Sequence, residues 1–195
     1  MLNDMYPKGP KSEWLRQAED IESGRIRTGN ADIPGLLDWL KDMNWPGAEI
    51  IAKFLPSFGR ELVPQVELVL GSGDDVWIRW VLVALRDSFD AKFWMPLADD
   101  LKQVACRWDA EHAHVEALYL LARHGLADGK WLSGALDGMK RIEGAKPDAY
   151  AEIDLLLDLS GVRERAADEQ GMIAGFLGGL ADAMLSRPPF RDWRF

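Results

Sequence analysis

Cysteine, long apolar runs and positive charge are all scarce in this chain, and each shortage removes a class of protein. A single cysteine, Cys106, leaves no internal disulfide framework and favours a reducing compartment. No stretch of about 18 uncharged apolar residues is present to cross a bilayer. The opening MLNDMYPKGPKSEW has neither an apolar core region nor a small-residue cleavage site of the secretory kind. A cytoplasmic location, with no membrane partner, is therefore the expectation. Lys and Arg number 23 against 32 Asp and Glu, a formal charge of −9. The excess is concentrated: Asp87 to Glu116 holds seven acidic residues against three basic, and Glu143 to Glu169 holds eight against three. Such a surface repels phosphate backbones, so nucleic acid is not expected as a partner, whereas a protein with a basic face is.

Reaction motifs are missing as well. There is no P-loop, no G-x-G-x-x-G and no G-x-S-x-G, and no alternating segment argues for a strand. What the chain does contain is a succession of helical patterns cut by short breakers. Ser12 is placed to cap a helix with Trp14, Leu15, Ala18 and Ile21 on one face. Leu36, Leu37, Leu40 and Met43 stripe the next, and Asn44-Trp45-Pro46 both ends it and opens a third running to Gly59. Glu61–Leu70 follows, then the Gly71–Asp75 breaker, with Asp74 or Asp75 as cap of a helix carrying Trp77 and Trp80. Phe93–Trp108, Glu111–His124, Gly129–Ile142, Asp148–Leu159 and Val162–Leu185 continue the pattern. The expected fold is all-α, with about eight to ten helices in antiparallel pairs stacked as a HEAT-like α-solenoid, because short connections force antiparallel neighbours. Residues 1–32 read as a cap helix and loop, 33–186 as the helical-repeat domain, and 187–195 as a basic aromatic tail with Arg187, Arg191, Arg194, Phe190, Trp193 and Phe195.

The segment DWLKDMNWP (Asp38–Pro46), followed by GSGDDVWIRWVL (Gly71–Leu82), resembles a bacterial family of small HEAT-like helical domains of unknown function. Its members carry a similar L-x-W-L-x-D-M-N-W-P signature and a D-D-x-W helix. The resemblance covers about residues 32–90, while 91–186 reads as a helical continuation. It implies binding rather than chemistry, through a loose association with immunity and accessory proteins of bacterial toxin systems.

Candidate sites follow from residue type. His112, His114 and His124 form the only histidine grouping, but residues two apart on a helix do not share a face, so no metal is expected and a solvent-exposed helix start is. Cys106 falls beside the stripe of Leu101 and Ala105 and reads as a packed thiol. Gly171, Gly175 and Gly179 place small residues on one helix face, suited to packing within a monomer or, alternatively, to a homodimer seam. Nine tryptophans are the unusual feature, since so many indoles exceed what a small interior holds and Trp is enriched at binding hot spots. Those beside acidic loops mark the expected partner-binding edge: Asp42, Asn44, Trp45, Asp74, Asp75, Trp77 and Trp80. The expected function is non-catalytic protein binding, as an immunity protein occluding a toxin. An adaptor or chaperone scaffold is the alternative, ahead of a small-molecule-binding or enzymatic helical domain. No cofactor is expected.

Overall fold

A computed structural model describes residues 5–143 together with Tyr150, Ala151 and Ile153. The regular elements among the described residues are all helical, with no strand among them. Helix α1 spans Lys11–Glu22, and α2 (Ile33–Leu37) tightens into a 3-10 turn over Asp38–Lys41. Helix α3 (Ala48–Phe54) runs on through the 3-10 segment Leu55–Leu62, which Gly59 bends at φ 55, into α4 (Val63–Leu70). Helix α5 is Asp75–Leu85; α6 (Ala91–Trp94) leads by the turn Met95–Leu97 into α7 (Ala98–Ala105); α8 is Ala113–Arg123 and α9 Gly129–Glu143.

Apolar spacing decides which faces turn inward. In α5, Ile78, Val81, Leu82 and Leu85 are buried at helical intervals and pack on α8, α4, α3 and the turn after α2. In α8, His114, Ala117, Leu118 and Leu121 share one buried stripe, and α7 is its most extensive neighbour. Helix α1 contributes Ala18 and Ile21 to the same apolar cluster and lies on α3. Trp39 is fully enclosed, its indole N–H donating to the carbonyl of Met5 at 2.7 Å, which ties the first described residue to the interior.

Local details differ from the sequence expectations where packing overrides them. Helix α1 starts at Lys11 with Pro10 in the cap position and no side-chain cap, so Ser12 lies inside it. Helix α3 starts at Ala48, and its cap is Gly47 at φ 92 rather than Asn44. A Cβ at Gly47 would sit 2.5 Å from that of Ala18 and 3.2 Å from the Trp14 carbonyl and the Trp39 ring, so only glycine admits α1 at this distance. Cys106 caps α7 at the surface and is exposed, not packed, because the buried stripe of that helix runs through Leu101, Val104 and Ala105. The expected helices Asp148–Leu159 and Val162–Leu185, the Gly171, Gly175 and Gly179 ladder and the 187–195 tail lie outside the described residues, apart from Tyr150, Ala151 and Ile153.

Candidate functional site

Of the seven residues of the expected binding edge, Asp42, Asn44 and Trp45 lie in the loop before α3, Asp74 in the loop before α5, and Asp75, Trp77 and Trp80 in α5 itself, and most of them have work inside the fold. The Asp42 carboxylate accepts the Asn44 N–H at 2.9 Å while its carbonyl accepts the Trp45 N–H, a turn built by the aspartate itself. Trp45 is half-buried, edge-on to Trp14 with ring centroids 5.1 Å apart. Asp74 caps α5, accepting from the Trp77 N–H at 3.1 Å. Asp75 forms an ion pair with Arg107 beyond the end of α7. The Trp77 indole donates to the Leu37 carbonyl at 2.8 Å and carries the Lys41 ammonium 4.4 Å above its ring, so it staples α5 to the turn leading into Asp42. Trp80 is half-buried under the Arg79 guanidinium at 4.7 Å. Trp77 therefore brings the two loops together; Asn44 and Asp74 are the members left exposed to solvent.

The strongest constellation of chemical side chains lies elsewhere. Ahead of α8, Asp109 accepts the backbone N–H groups of Ala113 and His114 at 3.0 and 3.1 Å, and its Oδ2 lies 2.8 Å from His114 Nδ1. The other ring nitrogen, Nε2, is 3.0 Å from the Tyr150 hydroxyl. Asp109 is 5% exposed, and His114 and Tyr150 are fully buried. Burial alone would push the Asp109 carboxyl up; the His114 ring and the two N–H donors outweigh it and hold the group below its ordinary value. With the carboxylate ionised, Nδ1–H donates to it, and Nε2 faces the tyrosine hydroxyl. His112 takes the left-handed conformation, φ 65, that turns the chain from Asp109 into the helix.

The histidines thus do not form the solvent-exposed helix start expected of them, because His114 falls on the inward stripe of α8 and Asp109 meets its polarity there. The signal was present: an aspartate four residues before the first helical residue, and a histidine in register with Ala117, Leu118 and Leu121. Among the described residues no group of His, Cys, Asp and Glu has the proximity a metal ion needs. His124 stands apart, its ring 6.4 Å from that of Trp94. Burial, then the charge of Arg123, lowers its pKa against the opposing pull of Asp90 and Asp87.

A third polar group joins α5 to α8. Arg86 pairs with Glu116 at 3.1 Å, Arg123 pairs with Asp87 and donates to the Tyr119 hydroxyl at 2.9 Å, and both guanidinium groups lie against the Tyr119 ring, at 5.1 and 5.7 Å. Burial raises the pKa of Tyr119, with the two arginines opposing. The adjoining groove, lined by Ala52, Lys53, Pro56, Val83, Ala84, Asp87 and Ser88, has a volume of about 200 Å³. That is below the roughly 300–1,000 Å³ usual for small-molecule sites.

An all-helical domain with a histidine–carboxylate pair sealed in its interior is the class that the described residues define. Within that class the chain belongs to the family described as Domain of unknown function (DUF5071), whose model matches residues 18–121, more than half of the sequence. The match runs further in both directions than the 32–90 segment that carries the resemblance, taking in α1 from Ala18 and most of α8, with Asp109 and His114 inside it. No curated protein and no solved structure matches the chain.

Proposed function

We propose that this chain is a non-catalytic protein-binding protein, working in the cytoplasm as an immunity protein that occludes a basic toxin domain. One observation supports the non-catalytic reading: Asp109, His114 and Tyr150, the set best suited to proton transfer among the described residues, are bonded to one another and enclosed, with almost no surface open to a substrate. A catalytic acid or base must come within hydrogen-bond reach of the proton it moves. The net charge of −9 supports a basic protein partner, because complementary fields speed encounter, and speaks against nucleic acid. The pairing of α4 with α5 and of α7 with α8, each side by side with the next pair, supports a HEAT-like stack.

Co-expression with the protein encoded by the adjacent gene tests the reading. Restored growth and a co-eluting complex on size exclusion are expected; neither appearing would overturn it.

A further inference from the structure

The polar set at the start of α8 is assembled from two parts of the chain that the family match separates. Asp109 and His114 lie within residues 18–121, whereas Tyr150, 36 positions after His114, lies beyond them. Helix α9 comes between and packs on α8. Tyr150 and Ile153 are 0% and 1% exposed and belong to the apolar cluster, while Ala151 between them is exposed, so this stretch turns one face inward. The Tyr150 ring stands 6.2 Å from that of His114, and its hydroxyl is 3.0 Å from Nε2.

The chemistry of the pair selects what can sit there. Asp109 holds Nδ1 and is itself held by the Ala113 and His114 N–H groups, so residues of one turn fix the ring. Nε2, on the other side of the imidazole, is left for a partner from elsewhere in the chain. An apolar side chain would leave that nitrogen unpaired in the interior, and a second carboxylate would repel Asp109. A phenol suits the place: its hydroxyl can donate to a neutral imidazole or accept from a charged one, and its flat ring is at home among apolar neighbours. We propose that the Asp109–His114 pair is an internal receptor for a phenol, filled in this chain by Tyr150, and that this contact docks the stretch after α9 on the start of α8. The folded unit then extends beyond the family match, which contains a site that is complete only when a tyrosine from outside it is seated. This goes beyond the protein-binding reading and does not depend on which partner the chain meets.

Filling the gap with a free ring in the full chain tests the proposal. Tyr150→Ala removes the phenol; phenol and toluene, rings of similar size with and without the hydroxyl, are the probes. Phenol is expected to raise the thermal midpoint of the variant, to bind it about tenfold more tightly than toluene by calorimetry, and to leave the midpoint of the unsubstituted chain unchanged. Adding His114→Ala to Tyr150→Ala is expected to abolish that preference. Equal affinity for the two probes, no stabilisation of the folded variant by phenol, or the same midpoint shift in the unsubstituted chain would each overturn the proposal. Where the alanine variant does not fold, Tyr150→Phe, which keeps the ring and loses only the hydroxyl, decides. Its His114 Nε2 resonance, followed by nitrogen NMR, is expected to move while that of His124 stays; an unmoved His114 resonance overturns the proposal as well.

Discussion

The start of α8 and the tryptophan-bearing loops before α3 and α5 are both built from aspartates and rings, yet they stand in opposite environments. Asp109, His114 and Tyr150 are enclosed, and each polar atom that pairs within the set would be left in a low-dielectric interior if its partner were removed. Asp42, Asp74 and Asp75 organise turns and a helix start at the surface, where water can replace a lost partner. The same residue types therefore carry different energetic weight, and what differs is access to water.

The contrast can be broken from its costly side first. His114→Ala is expected to lose about 3 kcal/mol, because it takes the ring donor from the buried Asp109 carboxylate, which keeps only its two backbone N–H groups, and empties a buried side-chain site. Asp109→Asn combined with His114→Ala should cost less than the two single changes added together, since neither leaves the other unpaired. Urea denaturation of all three variants measures this, and additive losses would mean that the set is not a unit. Gly47→Ala should cost about 2 kcal/mol through the contact with Ala18 and the left-handed backbone, read from the shift of the thermal midpoint.

Acid sharpens the comparison. The Asp109 carboxyl titrates below its ordinary value of 3.8 in the folded chain, so the unfolded chain takes up the proton first. The stability it contributes is complete above that ordinary value and is lost as pH falls through it towards the folded value. His124 also has a lowered pKa, so the unfolded chain binds its proton more readily and stability declines as pH drops below 6.5. Urea midpoints measured across the acid range should fall in two stages. His124→Gln is expected to remove the upper one and Asp109→Asn to flatten the lower.

At the exposed end the effects are smaller. Asp74→Ala should cost about 1 kcal/mol as a lost helix cap. Asp75→Ala should cost less than about 1 kcal/mol, since its ion pair with Arg107 is open to solvent. Denaturation midpoints check both. A loss at Asp74 as large as that at His114 would erase the distinction between the two regions.

Much of the local architecture was legible in sequence. The stripes of Leu36, Leu37 and Leu40, of Ile51 and Leu55, and of Val66, Val69 and Leu70 mark buried faces because a helix repeats every 3.6 residues whatever surrounds it. A cap at Asp74 or Asp75 was readable for a similar reason, since a side-chain oxygen there reaches only the next turn of its own chain, and Asp74 is the one used. The candidate site was legible in part. Trp45, Trp77 and Trp80 stand near loops as expected, but their partners, Trp14, the Leu37 carbonyl and the Arg79 guanidinium, include residues 31 and 40 positions away in sequence.

By itself the sequence determined the helical class, the acidic balance and an aspartate cap for α5, all of which depend on composition or on neighbours within a turn; the helix ends at Phe54, Leu97 and Ala105 were set by packing. Only the tertiary structure decided that His114 is sealed between Asp109 and Tyr150, that Cys106 faces water, and that Gly47 must be glycine to admit α1. Those outcomes depend on which helix lies against which. Burial and pairing are properties of atoms brought together from distant parts of the chain, and no local period encodes them.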